Sequence, residues 1–237
     1  MDFEDAEDLF VTLSLDFKAI RVIENQLIPT TWQLKTQIIW NEVEDLEDQE
    51  AEDRHDYATQ LAITKTRFWF DHMINGSVLF SRNNEWALRA FLDDTGVQTV
   101  QNHLVVLPDD PVDSLLAEIF QSKMNAFAAG ALEYGYVDLT ADDTNGFSFL
   151  FVGAGEYNLP SIEEWVGPRS HFSKPWWARN DASTIDVIPE ESDDLKIPPS
   201  FAYSLDFLGD GLRGEQTPTA RIIKPEFRPE VINGGKK

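Results

Sequence analysis

Residues 11–18, VTLSLDFK, and residues 31–40, TWQLKTQIIW, alternate apolar and polar side chains along the chain. A period of two places every second side chain on the same face of a β-strand. Both segments are therefore predicted to be half-buried strands that pair in an antiparallel manner. Pro29 is expected in the link between them, where its missing backbone N–H is not needed.

Helical spacing follows in residues 57–74, and the Asn-Gly pair at 75–76 is a typical helix end. A helix is predicted here, although the bulky aromatic residues 68–70 leave a strand open as an alternative. Residues 84–92 predict a second, short helix. Residues 103–107 predict a short apolar strand.

The clearest helical pattern covers residues 112–132, where apolar side chains recur every three or four positions. Asp113 near its start is favourable for the helix dipole. A hairpin is predicted next, from strands at 134–139 and 147–152 joined through the Asn-Gly turn at 145–146.

These elements predict an α+β fold, with an antiparallel sheet, two or three helices and a long irregular C-terminal segment that contains prolines. We expect residues 1–186 to form a single globular domain with an acidic insertion at residues 42–56. Residues 187–237 hold six of the 12 prolines. They are expected to form an extended arm that packs on the core or projects from it.

The charge of the chain is its outlying property. Its 237 residues include 42 Asp and Glu against 19 Lys and Arg, a net charge of −23. Such a surface repels nucleic acids and anionic membranes, so neither is expected as a direct partner. The chain has no Cys, no apolar run long enough to span a membrane and an acidic N-terminus unlike a secretory signal, so a cytoplasmic location is expected.

The acid is concentrated near the N-terminus, because 16 of the 42 acidic residues lie in the first 60 positions. Mutual repulsion in the densest stretch favours a mobile or extended loop, with a helix as the alternative. This acidic run could only solubilise the protein, or it could bind a basic partner. We predict partner binding by its nine carboxylates: Glu42, Glu44, Asp45, Glu47, Asp48, Glu50, Glu52, Asp53 and Asp56.

No pattern assigns a catalytic, metal-binding or cofactor-binding residue. The absence of Cys excludes thiol nucleophiles and Cys-based zinc sites. The His–Asp pairs at 55–56 and 71–72 are of a kind found in metal-dependent enzymes, but such pairs arise easily by chance in an acidic chain. The turn at 141–146 lacks the first and twelfth ligands of a calcium loop. No phosphate-binding loop or nucleophile elbow is present.

Tryptophans form a second candidate site. Trp176 and Trp177 are adjacent, and two neighbours on a regular strand cannot both point inward. One of them is expected to cover the core, and the other to face a partner, the C-terminal arm or a cation. We include both as predicted partner-binding residues, because Trp often dominates interaction sites. The alternative is a small satellite core beneath the irregular segment.

These observations favour a non-enzymatic acidic interaction protein that binds a basic site on another protein. An inhibitor that mimics nucleic acid and blocks a nucleic-acid-binding protein, of phage, mobile-element or immunity type, belongs to this class. One alternative is a structural or accessory subunit of a larger intracellular assembly. The second alternative is a metal-dependent enzyme that uses Asp, Glu and His.

Overall fold

The computed structural model describes residues 11–40, 49–93, 104–142, 148–152, 159–168 and 172–186. The chain divides into two units, Met1–Asp206 and Phe207–Lys237, and every residue described here belongs to the first. The predicted arm at 187–237 therefore lies outside the described residues. Within the described ranges, no helix combines the length and the apolar character that crossing a bilayer requires.

The first two strands form a long antiparallel hairpin, as predicted. Strand β1 covers Val11–Ile23 and strand β2 covers Gln26–Trp40. Glu24 and Asn25 join them with φ angles of 50° and 61°. Two consecutive positive φ angles are the mark of a type I′ turn, whose twist matches that of the flanking strands.

Pro29 lies within β2 opposite Ile20, so the prediction that it occupies the link is wrong. Strand β2 tolerates this proline because a backbone N–H at position 29 would point away from β1. Two residues later, Thr31 donates its N–H to Asp142 Oδ1 (2.9 Å), away from β1. The backbone nitrogen of Pro29 has the same orientation, and the ladder with strand β5 starts only at Trp32. No ladder hydrogen bond is lost there.

Six strands form one mixed sheet in the order β4-β3-β1-β2-β5-β6. Strands β5 (Leu132–Ala141) and β6 (Ser148–Val152) continue the antiparallel half beyond β2. Strand β3 (Ser77–Ser81) pairs parallel with β1, and β4 (Leu104–Leu107) pairs parallel with β3. The α+β class is thus confirmed, and the sheet adds a parallel half that the sequence did not predict.

In the described part of the chain, three helices lie between these strands, and a fourth helix and a 3₁₀ turn follow β6. Helix α1 covers Gln49–Trp69 and continues through a π-helical turn at Phe70–Ile74. Helix α2 covers Glu85–Leu88 and continues through a second π-helical turn at Arg89–Asp93. Helix α3 covers Asp113–Ala128, helix α4 covers Ile162–Val166, and a single 3₁₀ turn covers Trp176–Ala178.

Two predicted helix boundaries change. Helix α1 begins at Gln49, eight residues before the predicted start, so the last part of the acidic run is helical. Residues 68–70 are helical too, which excludes the strand alternative. Helix α3 ends at Ala128 because Ala129 and Gly130 adopt left-handed φ angles of 49° and 87°. The predicted end at residue 132 is wrong, since Leu132 opens strand β5.

Aromatic rings form the core between the hairpin and helices α1 and α3. Phe17 stacks on Trp32 with ring centroids 5.4 Å apart and meets Phe120 edge-on at 5.6 Å. Phe70 lies 5.1 Å from Phe120. All four side chains are buried, and burial of each such ring contributes roughly 1.5–3 kcal/mol to folding. This cluster attaches both helices to one face of the sheet.

A register shift between β2 and β5 is stabilised by helix α3. The shift falls between Thr36 and Ile38 on β2. Opposite it, Gln121 Nε2 donates to the carbonyl oxygens of Tyr134 (2.9 Å) and Gly135 (3.2 Å). Asn125 Oδ1 accepts the N–H of Tyr134 at 2.8 Å. Two polar side chains of α3 therefore satisfy the backbone groups that the irregular pairing leaves without strand partners.

Candidate functional site: an acidic groove beside the parallel strands

An open groove of about 970 Å³ lies where the parallel strands end. The turn after β1 contributes Glu24 and Asn25 to its lining. The loops that follow β3 and β4 contribute the rest, and helix α2 forms one wall. The carboxyl ends of parallel strands are where open sheets with crossover helices usually bind ligands. The lining residues are Glu24, Asn25, Ser81, Asn83, Asn84, Glu85, Trp86, Arg89, Ala90, Asp109 and Asp110.

Local hydrogen bonds shape the wall that follows β3. Asn84 caps helix α2 by accepting the N–H of Ala87 on its side-chain oxygen at 2.9 Å. Ser81 Oγ accepts the N–H of Asn83 at 3.1 Å. These bonds satisfy backbone donors that a strand end and a helix start would otherwise expose. Trp86, in the first turn of α2, is thereby placed at the groove.

The opposite wall is the loop that follows β4. Asp109 Oδ1 accepts the N–H of Asp110 at 2.8 Å, and the carbonyl oxygen of Asp110 accepts the N–H of Val112 at 2.7 Å. Asn83 Nδ2 reaches across to the carbonyl oxygen of Pro108 at 3.5 Å. The two walls are therefore joined directly as well as through the strands.

A largely buried ion pair anchors the end of that loop. Asp113 Oδ1 accepts from Arg21 at 3.1 Å and from the indole of Trp32 at 3.0 Å. The Arg21 guanidinium also lies 5.3 Å from the Trp32 ring centre. Because both partners belong to the hairpin, the first residue of α3 is fixed to the sheet. Asp109 and Asp110 are only a few residues earlier in the chain, so this anchor also restricts where they lie.

The charge of the groove favours a cation. Four of its side chains are carboxylates and one is a guanidinium. That guanidinium, Arg89, lies 3.6 Å from Glu85 in a pair that is mostly exposed to solvent. The indole of Trp86 is 42% exposed, with its ring 6.2 Å from that of Phe91. Carboxylates around an accessible indole are the elements of a cation-binding site.

A second polar cluster is largely buried. Lys123 is completely buried in helix α3, and its ammonium donates to the carbonyl oxygens of Trp176 (2.7 Å) and Arg179 (3.0 Å). Asp181 lies 3.6 Å from it. Burial lowers the pKa of Lys123 to about 7, although the nearby Asp181 opposes this shift.

Asp186 occupies the other side of the same cluster. It accepts hydrogen bonds from the Trp165 indole (3.0 Å) and the Trp176 N–H (2.6 Å), and it pairs with Arg179. Burial raises the pKa of Asp186 despite these donors. Burial also opposes ionisation of Asp181, but Lys123 and Arg179 outweigh it and hold that pKa below its usual value.

This buried network fixes residues 172–186 to the core. The segment also covers the outer edge of β4: Val106 donates its N–H to the carbonyl oxygen of Thr184 (3.1 Å), and the Thr184 hydroxyl donates to Leu104 (2.6 Å). The charged groups of this network bind one another and the backbone, and they do not face a concave surface. The arrangement is that of a structural clamp.

The predicted tryptophan site changes accordingly. Trp176 and Trp177 lie in a 3₁₀ turn, not on a strand, and both are buried. The expectation that one of them faces a partner is wrong, because a 3₁₀ turn does not alternate its side chains between two faces. The cation alternative holds for Trp176, whose ring centre lies 5.8 Å from Nζ of Lys123. Trp176 donates its indole N–H to Val106, and Trp177 packs edge-on against Trp165 at 5.0 Å. As described, neither ring offers a surface to a partner.

The predicted acidic residues fall into three groups. Asp53 and Asp56 are exposed on helix α1 and do not line the groove. For Glu50 and Glu52 the helical backbone is described but the side chains are not. The remaining five lie outside the described residues: Glu42, Glu44, Asp45, Glu47 and Asp48. Partner binding by the acidic run stays a prediction.

The two His–Asp pairs do not meet in space as a metal site. Among the residues described, no three His, Asp or Glu side chains come close enough to hold an ion. His72 instead lies against Phe68, with ring centroids 4.4 Å apart.

No family model matches the chain, and no curated protein matches it. Among solved structures, a catalytic-residue mutant of Plasmodium vivax 6-pyruvoyltetrahydropterin synthase is similar with a TM-score of 0.28 and 8% sequence identity. That similarity covers 60% of this chain and 97% of the other. At this TM-score the likeness carries no argument about fold or activity.

Proposed function

We propose that the chain is a non-enzymatic, cytoplasmic interaction protein that binds a basic site on another protein. One observation carries the proposal: the open groove beside β3 and β4 is lined by four carboxylates and one guanidinium. A basic surface that enters it exchanges hydration for charge-assisted hydrogen bonds. The net charge of −23 adds attraction at longer range.

The acidic run has a separate part in this proposal. Its carboxylates extend over residues 42–56, and Asp53 and Asp56 are exposed where helix α1 carries them. Charges outside a contact surface mainly raise the rate of encounter, whereas groups inside it mainly slow dissociation. We assign the run to steering and the groove to contact. In a narrower form of the proposal, the partner is a nucleic-acid-binding protein. The carboxylates of this chain then occupy the site at which that protein binds the phosphates of nucleic acid.

The buried ionisable groups support a binding role over a catalytic one. Lys123, Asp181 and Asp186 have perturbed pKa values, which often indicates an active site. Here each of them is held by neighbouring charges and backbone groups inside the clamp, and none lines the groove. Their perturbation follows from burial in a structural network.

The test is capture of a partner by the immobilised protein from an extract of the cells that express it, at low and at high salt. We expect a captured protein with a basic surface that is released by salt. The variant Asp109→Lys/Asp110→Lys should lose it. A matched control, Asp71→Lys/Glu133→Lys, changes the charge equally at exposed positions outside the groove and should retain it. Capture that survives both high salt and the groove variant would overturn the proposal.

A further inference from the structure

The groove combines its carboxylates with one accessible indole, and this combination selects among cations. Trp86 stands in the first turn of α2, in the same lining as Glu24, Asp109 and Asp110. Those three carboxylates come from the turn after β1 and the loop after β4, so they belong to separate segments. A ligand between them meets charge from more than one direction and a flat ring as well.

The size of the space argues for an organic cation. A groove of about 970 Å³ is at the upper end of the range, roughly 300–1,000 Å³, in which proteins bind organic ligands. Of the two cationic side chains of proteins, guanidinium is planar, weakly hydrated and able to donate to two carboxylates at once while it stacks on a ring. Ammonium is a compact and strongly hydrated charge that gains less from an exposed indole.

We infer that the groove is a receptor for an arginine side chain of the basic partner, stacked on Trp86 and hydrogen-bonded by Asp109 and Asp110. This inference rests on the proposed function and names the residue type that it recognises. The walls are held in advance by the Asn84 cap, the turn at Asp109 and the Arg21–Asp113 pair. A pre-formed receptor loses less entropy on binding.

The probe is a short peptide, capped at both ends, that contains a single arginine, and its comparator is the same peptide with lysine. Nuclear magnetic resonance of the tryptophan indole N–H groups follows the titration. We expect the arginine peptide to shift the Trp86 signal in a saturable manner and the lysine peptide to bind about threefold or more weakly. The indole signal that disappears in the Trp86→Ala variant is assigned to Trp86.

Two variants and two matched controls complete the test. Trp86→Ala should weaken arginine binding about threefold to fivefold, and Asp109→Asn/Asp110→Asn should weaken it about fivefold or more. Tyr57→Ala removes an aromatic ring that is 56% exposed outside the groove, and Asp71→Asn/Glu133→Gln removes two exposed charges there. Both controls should bind as the unaltered protein does. Thermal unfolding of each variant confirms that it is folded.

Equal binding of the two peptides, or arginine binding that both groove variants leave unchanged, would overturn the inference. The proposed function fails on a different result, because it rests on salt-sensitive capture of a whole protein. If capture depends on Asp109 and Asp110 while Trp86→Ala has no effect on either measurement, the groove binds a basic partner without an arginine receptor.

Discussion

Lys123 donates a 2.7 Å hydrogen bond from the middle of helix α3 to the backbone carbonyl of Trp176, 53 residues later in the chain. The side chain is completely buried, and its ammonium lies 5.8 Å from the centre of the Trp176 ring. The ammonium of Lys123 thus contacts both the backbone and the ring of Trp176. This interaction is one of several that hold residues 172–186 to the core.

The first prediction concerns pH. Burial lowers the pKa of Lys123 to about 7 from 10.5. Between those values the unfolded chain binds a proton that the native protein does not, so the free energy of unfolding should rise with pH in that window. We expect an increase of about 2 kcal/mol between about pH 7 and 9, measured by denaturant titration. Lys123→Met should abolish the increase, and an unchanged slope in that variant would contradict the assignment.

The second prediction concerns Asp186. Asp186→Asn keeps one acceptor but removes the carboxylate that pairs with Nη1 of Arg179, whereas Asp181 still pairs with Nε, so we expect a loss of about 2 kcal/mol in unfolding free energy. Limited proteolysis within residues 172–186 should become faster at the same time. Glu85→Gln is the matched control, because its pair with Arg89 is exposed and should contribute less than about 0.5 kcal/mol. Similar losses in the two variants would argue against the clamp.

The third prediction concerns Gly135. A Cβ at this position would lie 2.7 Å from Cδ1 of Ile39 on the neighbouring strand. Gly135→Ala should therefore destabilise the protein, by about 1 kcal/mol because the Ile39 side chain can partly adjust. Ile39→Val removes that methyl group, so the double variant should recover most of the loss. A double-mutant cycle measures this coupling, and strictly additive effects would exclude the clash.

The fourth prediction separates steering from contact. Reversal of four charges in the acidic run, at Glu42, Glu44, Glu47 and Asp48, should slow association with the captured partner and leave its dissociation nearly unchanged. Asp109→Asn/Asp110→Asn should mainly speed dissociation. Surface plasmon resonance at two salt concentrations measures both rates. A run variant that alters only dissociation would place the contact at the run instead. Exchange of Glu and Asp within the run is the charge-preserving control.

Much of the antiparallel half of the fold could be predicted from sequence. Strands β1 and β2 have one buried and one solvent face, so their residues alternate, and helix α3 repeats its apolar residues at helical spacing. Strand β3 was missed because all five of its residues are buried, which leaves no alternation to detect. Strand β4 is equally buried but was predicted, because its four apolar residues run without interruption up to Pro108, whereas β3 has only three in a row.

The groove could not be predicted, because three segments far apart in the chain form it. Its residues near positions 24, 85 and 109 meet only because β1, β3 and β4 are neighbours in the sheet. One local signal did exist for the clamp. Lys123 is four residues from both Ile119 and Phe127 in an otherwise apolar stripe of α3, which is the position of a core residue.

The two-residue turn at Glu24 and Asn25 also bears on the order in which the chain folds. It pairs 13 residues of β1 with β2 through contacts that are short-range in sequence, and such hairpins form in microseconds. Strand β3 can pair with β1 only after the connection through helix α1 has passed across the sheet. Closing the loop that contains α1 costs more entropy before any contact is gained. We therefore expect the groove to form late in folding, since it needs both β3 and β4 in place. A destabilised chain that retains its hairpin is expected to lose the groove first.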